Sequence, residues 1–497
     1  MTFMDFLTKL DDIAWGIPML CLIMGGGLLL TIRLRGMQFK KIGLALKYML
    51  QNEEDGEGEV TSFGALCTAL SATVGTGNIV GVATAILVGG PGALFWMFVA
   101  ACIGMATKYA EGLLSIKYRV IDKDGHALGG PFYYIERGMG KKWTWLAKLF
   151  AIFGCLAGLM GIGTITQVNG VASAVETFVD PKAQHIALTI GENGYTWATT
   201  VTAVVVAVAV ALVIIGGIKR ISKVSEAVVP FMIVIYIAIT LAILIFNIKE
   251  LPAAFVSVIK GAFGLDAAAG GVLGAIFIAM QKGVARGVFS NEAGLGSAPI
   301  AAAAAKTNEP VRQGLVTMTG TFIDTIIVCM MTGFSILVTG ANNVEGLEGA
   351  AVTAHAFGAG LPWAEQVGSF FLMLCLALFA FTTILGWDYY AERCLEYLLG
   401  GKKNSIVLTM FRWLYILAVL IGPFLTVTAV WTIADIFNGF MAVPNLIALI
   451  ALSGIVAKET KAYFDKLGKD RLSYMQLEPS ALYAQMDFYI WVLFGCT

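Results

Sequence analysis

The chain alternates apolar runs long enough to cross a bilayer with short polar loops. A spanning helix needs about 20 mostly apolar residues. Eleven segments reach that length, approximately 13–34, 62–88, 91–116, 145–176, 196–217, 224–247, 268–290, 312–340, 362–388, 405–430 and 435–457. The pattern predicts an all-α polytopic membrane protein. Asp5, Asp11 and Asp12 precede the first run, where a cleaved signal would carry positive charge, so residues 1–36 read as a retained extra N-terminal transmembrane helix. Residues 37–50, MQFKKIGLALKYML, are apolar on one face with lysines between, which predicts an interfacial helix within 37–58.

Two spans are interrupted. The run 62–88 carries Ser71-Ala72-Thr73-Val74-Gly75-Thr76-Gly77-Asn78-Ile79-Val80-Gly81 at its centre. Each glycine costs a helix roughly 1 kcal/mol relative to alanine, and freed backbone groups at that depth need protein or a polar cavity around them. Small-residue packing would explain the glycines alone. Asn78 adds a polar side chain at the same depth and favours a discontinuous helix. Its half-helix N-terminus suits a carboxylate, and its freed carbonyls suit an amine or sodium. In the second run an apolar half, about 268–280, meets Gln281, Lys282, Gly283, Arg286 and Gly287, and Ser290, Asn291, Glu292 and Gly294 follow. This predicts a break near Met280–Gly283, within a broken span near 268–295.

Loop charge sets the expected orientation. Lysine and arginine cluster after the first, third, fifth, seventh, ninth and eleventh spans, whereas 341–361 carries only Glu345 and Glu348 as charged side chains. Basic loops face the cytoplasm, so the N-terminus is expected outside and the C-terminus inside. The broken spans are then the second and seventh. Residues 59–250 and 251–458 become two five-helix repeats of inverted topology, an architecture of secondary transporters with the site at the repeat interface. Residues 459–497 read as a cytoplasmic tail whose last stretch is too short to span.

Composition narrows the function. Apolar residues make up 58% of the chain and charged residues 13%, the latter well below the roughly 25% of soluble domains. Zero net charge leaves no basic footprint for nucleic acid. The eight cysteines lie singly, most inside apolar runs, and His126, His185 and His355 are not at ligand spacing, so neither a disulfide framework nor a zinc site is expected. No HExxH or GxSxG marks an enzyme. Asp324 lies mid-span, where a carboxylate is costly. It is a candidate to bind a cation, carry a proton or hydrogen-bond a neighbouring helix.

The run GVARGVFSNEAGLGSA at 283–298 resembles the signature of the alanine/glycine:cation symporter family. SATVGTGNIVG (71–81), GGPFYYIERG (129–138), TQVNG (166–170) and FIDTIIVCMMTG (322–333) are similar to its other motifs, and the resemblance covers roughly residues 10–470. The tail after about 472 departs from the pattern. The resemblance implies an inverted-repeat (five plus five, LeuT-like) transporter of the cell membrane that couples sodium to uptake of alanine or glycine, with no other cofactor. Proton coupling is the alternative, and an ion channel a remote one. It also implies the site. Thr73, Gly75, Gly77 and Asn78 would hold the substrate carboxylate and Gln167 would hydrogen-bond it. Phe277, Gly283, Thr383 and Trp387 would close the pocket. Oxygens of Ala72, Gly75, Thr382 and Thr383 would make the sodium shell. Thr383 and Trp387, four residues apart, should share a helix face.

Overall fold

In the computed structural model the described residues are 3–477, apart from 52, 54–55, 181, 191–192, 266–270, 403–404 and 426. The expected tail beyond 477 lies outside them. The fold is almost wholly helical. The N-terminal part is α1 (Phe3–Ala14), α2 (Ile17–Arg33) and the short pair α3 (Met37–Lys40) and α4 (Ile42–Leu50). Next come α5 (Ser62–Thr73), α6 (Val80–Gly89) and α7 (Gly92–Tyr118). After the hairpin β1 (Val120–Ile121) and β2 (Ala127–Leu128) follow α8 (Pro131–Tyr134), α9 (Thr144–Met160) and α10 (Ile165–Val179). A second hairpin, β3 (Ile186–Ile190) and β4 (Asn193–Thr196), leads into α11 (Trp197–Ile214), α12 (Gly217–Phe246) and α13 (Leu251–Ala262). The remainder is α14 (Val272–Asn291), α15 (Ala298–Ala302), α16 (Pro310–Thr321), α17 (Met330–Val338), α18 (Ala350–Ala359), α19 (Glu365–Leu398), α20 (Ile406–Ile421) and α21 (Val427–Leu477).

Among the described residues nine helices are long and apolar enough to cross a membrane, or ten if the bent pair Ser62–Thr73 and Thr76–Gly89 is one span. The first expected span, 13–34, corresponds to α2, an apolar helix of 17 residues packed on α7 and α21. The two hairpins are not announced by the apolar pattern.

The first expected break is present: α5 and α6 meet at 60°. The second lies elsewhere than Met280–Gly283. Helix α14 runs unbroken through those residues to Asn291. Their glycines are packing notches: a Cβ on Gly283 would lie 2.2 Å from the Ala93 carbonyl oxygen of α7, and one on Gly287 3.1 Å from Met97 Cγ. The chain leaves the helix at Glu292 (φ 56°), and Gly294 (φ 90°) and Gly296 (φ 83°) keep it out until α15. Left-handed backbone is where glycine costs least. The break is thus inside the SNEAGLG run itself.

A third interruption has no counterpart among the expected breaks. The run 145–176 is divided at 161–164 between α9 and α10. Thr164 Oγ1 donates to the Leu159 carbonyl at 2.7 Å and Gln167 Nε2 to the Ile162 carbonyl at 2.9 Å, which satisfies carbonyls the bend sets free.

Candidate functional site

The backbone released at the first break is rebonded locally and by two neighbouring helices. Asn78 folds back so that its Oδ1 accepts from Gly75 N–H at 2.8 Å. Gln167 Oε1 of α10 accepts from Thr76 N–H at 3.1 Å. Thr383 Oγ1 of α19 donates to the Val74 carbonyl at 3.2 Å. A Cβ on Gly75 would lie 2.5 Å from Thr383 Oγ1 and 3.0 Å from Gln167 Oε1, so only glycine lets the three elements converge. Gly77 faces α14: a Cβ there would meet Phe289 Cδ1 at 3.2 Å and Ser290 Cα at 3.3 Å.

Asp324 joins the two broken spans. It sits in a π-helical stretch, Phe322–Cys329, between α16 and α17, a wide-turn geometry often found at functional sites. Its Oδ1 accepts from Asn78 Nδ2 at 2.7 Å. Its Oδ2 accepts from Ser290 Oγ at 2.9 Å and Thr325 Oγ1 at 2.6 Å. One buried carboxylate therefore holds the first break and the last turn of α14 together.

The second break is held in the same manner. Ala293 N–H donates to Asn291 Oδ1 at 2.9 Å and Gly294 N–H to Glu111 Oε1 at 3.2 Å. Asn445 Nδ2 of α21 bridges Glu111 Oε1 at 2.7 Å and the Gly294 carbonyl at 2.9 Å, and Tyr134 donates to Asn445 Oδ1. Glu292 accepts from Trp387 Nε1 at 2.8 Å and from Ser297 Oγ. Glu111, Glu292 and Asp324 are fully buried, and the buried Lys108 is the cation all three feel. Its Nζ has no hydrogen-bond partner among the described residues.

Of the expected site residues, Gly75, Gly77, Asn78, Gln167 and Thr383 are brought together. Thr73 is one turn away, its Oγ1 directed to the Leu70 carbonyl at 3.4 Å. Trp387 shares the Thr383 face, as its spacing implied, but its indole N–H reaches the second break and its Cβ packs on Gly163 in the α9–α10 bend. Ala72 packs against Gly386, where a Cβ would approach Ala72 Cβ to 2.7 Å. Three residues are not brought in. Thr382 turns its hydroxyl to the Phe379 carbonyl at 2.9 Å and Met232 Sδ at 3.5 Å, because neighbours on a helix point about 100° apart. Gly283 is consumed by the α7 contact. Phe277 lies thirteen residues before Ser290 on the same straight helix, about 20 Å along its axis at 1.5 Å per residue. On α14 it is Phe289 and Ser290 that lie against Gly77, and Ser290 that reaches Asp324. The expected metal shell involves no acidic or sulfur cluster: among the described residues no group of His, Cys, Asp or Glu is arranged to hold a metal ion.

Layers close the site from both ends. On the side away from the basic loops, Arg286 pairs with Asp435 at 2.9 Å and lies 5.5 Å from the ring centres of both Phe289 and Trp431. On the basic side the segment before α5 is stitched to the segment after α15. Glu59 N–H donates to the Ala304 carbonyl at 2.8 Å and Lys306 N–H to the Val60 carbonyl at 2.7 Å. Arg119 clamps the seam: Nη1 reaches the Ala303 and Ala305 carbonyls at 2.8 and 2.7 Å, and Nη2 those of Glu57 and Thr307 at 2.7 and 2.6 Å. Beside it His126 sits between Glu59 at 2.9 Å and Glu396 at 3.1 Å, with Arg393 against the same cluster. Burial works against a charged imidazole, but the two carboxylates outweigh it and raise the His126 pKa. Burial works against the charged Glu59 too and would raise its pKa, but His126, with the Ala127 N–H and Arg393, more than reverses this and leaves it lowered.

Asp324 thus ties the first break to the last turn of α14, and comparison with known proteins names the kind of protein this is. The profile of the Sodium:alanine symporter family matches residues 1–476. The chain belongs to the sodium:alanine symporter family. Family membership makes it a transporter for amino acid symport and not an enzyme. Among its relatives is the sodium/alanine symporter AgcS of Methanococcus maripaludis, 45% identical over 93% of this chain and 98% of that protein. An uncharacterized transporter of Haemophilus influenzae is 51% identical, covering 94% of this chain and 97% of its own. A probable sodium/glutamine symporter, GlnT of Bacillus subtilis, is 36% identical over 93% and 92%. The symporter's fold is LeuT-like: the crystal structure of MhsT in complex with L-phenylalanine superimposes with a TM-score of 0.56, covering 82% of this chain and 93% of that one at 14% identity.

Proposed function

We propose that the protein carries alanine, glycine or a similarly small neutral amino acid into the cell together with sodium, by alternating access between the Arg286–Asp435 layer and the Arg119 seam. The observation that carries this reading is Asp324, which binds both breaks through Asn78 and Ser290. An ion and a zwitterion bound at those breaks bias how the two halves pack. The amino acid lies at 75–78, with its carboxylate taking the backbone donors now held by Asn78 and Gln167. The tight convergence of Gly75, Thr383 and Gln167 supports a substrate with a small side chain. Oxygens of Thr383, Val74, Ala72 and Gly75 supply a hard-ligand shell for sodium, and three buried carboxylates against one lysine favour a site that takes up positive charge. The repeats are 59–250 and 251–458, and the basic loops lie in the cytoplasm, with the N-terminus outside.

Sodium entering down a membrane potential releases about 2.3 kcal/mol per 100 mV. That supports roughly 50-fold accumulation of a neutral substrate for one charge moved. The test is alanine uptake into proteoliposomes under a potassium diffusion potential, with sodium or choline outside. Uptake is expected only with sodium and should rise with inside-negative potential. Equal uptake in choline would overturn the sodium reading. Asp324→Asn measured beside it separates the proton alternative, which requires uptake driven by a pH gradient without sodium and lost in the variant.

A further inference from the structure

Away from the transport site, the basic face carries a cavity of about 850 Å³ between the 117–148 segment and the end of α19. Lys117, Arg137, Lys141 and Lys148 line it, against a single carboxylate, Glu136. Tyr397 already donates to Glu136 at 2.7 Å, and Lys117 is paired with Glu459 at 2.8 Å. Arg137, Lys141 and Lys148 form no ion pair among the described residues. Three like charges around one concavity repel one another unless an anion joins them.

The surroundings point to which anion. Thr144, also on the wall, begins the 17-residue α9, whose N-terminal N–H groups favour negative charge. Trp145, Lys148 and Ile152 fall at i, i+3 and i+7 on one face of α9, and Trp145 and Ile152 are 59% and 45% exposed. Met160, two turns beyond Ile152, continues that exposed stripe. Trp143 stacks on Trp145 with ring centres 6.1 Å apart. Tryptophans gather at the level of the lipid headgroups. The cations are therefore at headgroup depth, directly above an apolar track that faces the hydrocarbon.

We infer that this cavity binds the phosphate of an anionic phospholipid through Arg137, Lys141 and Lys148, with an acyl chain lying along the Trp145–Ile152–Met160 face of α9. Basic pockets between helices on the cytoplasmic side suit such headgroups. The leaflet, cytoplasmic, follows from the orientation proposed above. The chemistry of the pocket is independent of it, and of sodium coupling.

The experiment titrates the purified full-length protein in detergent with phosphatidylglycerol and, separately, phosphatidylcholine, reading bound lipid by native mass spectrometry. Phosphatidylglycerol is expected to bind about tenfold more tightly, and Arg137→Gln/Lys141→Gln/Lys148→Gln to bring it to the phosphatidylcholine level. Lys148→Gln alone, a lipid-facing position that tolerates change, should weaken it about threefold and serves if the triple variant does not fold. Equal binding of the two lipids overturns the inference, as does full retention in both variants. Complete displacement by millimolar inorganic phosphate overturns it too, since the pocket would then serve a soluble anion. Sodium-dependent alanine uptake, measured on the same protein, reports on the transport reading separately.

Discussion

Gly75 stands against Thr383 of α19 and Gln167 of α10, and its hydrogen atom is the only side chain that fits. A methyl group there meets Thr383 Oγ1 at 2.5 Å and Gln167 Oε1 at 3.0 Å. Forcing it in costs about 1–3 kcal/mol of overpacking. Gly75→Ala is expected to insert and fold but to lose at least roughly nine-tenths of alanine uptake, since about 1.4 kcal/mol is tenfold. Wild-type uptake by that variant would mean the break does not bear on transport. At this scale much of the site was legible. Glycine and asparagine in mid-bilayer are rare for a physical reason, and so is a mid-span carboxylate, which is why 75–78 and Asp324 stood out. What could not be read was partnership. Asn78 looked like a ligand group, yet it has both ends of its amide on Gly75 and Asp324. Phe289 and Ser290 gave only the signal of belonging to the SNEAG run.

Helix α14 illustrates how an element misleads when judged by its charges. Gln281, Lys282 and Arg286 suggested that the apolar stretch ended near Met280. The helix continues because its backbone bonds stay intact, Gly283 and Gly287 dock on α7, and Arg286 finds Asp435. The true break has left-handed Glu292, Gly294 and Gly296, and dihedrals are not visible in hydropathy. Two substitutions separate the readings. Gly283→Val places a branched side chain against the Ala93 carbonyl and should lower the melting temperature and the folded yield. Phe277→Ala, well along the helix from the break, should leave the KM for alanine within about twofold of wild type. A KM increase of about tenfold for Phe277→Ala would restore that residue to the site. The His126 cluster ties the segment before α5 to the β1–β2 hairpin and α19, and it is pH-sensitive. The raised His126 pKa contributes stability that is complete below the ordinary imidazole value and is lost as pH rises through the folded one. The lowered Glu59 pKa contributes stability present above its ordinary value and lost as pH falls through the folded one. The contact is strongest between roughly pH 4.5 and 6.5. The melting temperature should fall from pH 6 to pH 9 more steeply in wild type than in His126→Gln, and parallel profiles would count against the assignment.

Over the whole molecule, the seam on the basic face and the aromatic and ionic layer on the other are the two closures that the proposed alternating access would open in turn. Arg119 holds the seam with four carbonyl contacts. Hydrogen bonds from a charged donor are worth about 1.5–3 kcal/mol each, so removing them shifts the closure by far more than a tenfold population change. In Arg119→Gln, a cysteine introduced at Ala304 should react with a water-soluble maleimide at least about ten times faster than in the parent. No change in rate would show that the seam is held by its backbone bonds alone. The chain by itself determined what solvates it, which segments are apolar enough to cross, which loops carry positive charge, and that its backbone leaves the helix at 75–78. These follow from local composition and from the length needed to cross hydrocarbon. Only the tertiary structure decided which side chains rebond the broken segments, where the second break falls, and that α9 and α10 part beside Gln167. Those outcomes depend on contacts between residues hundreds of positions apart, such as Asn78 with Asp324, and no pattern along one segment records its distant partner.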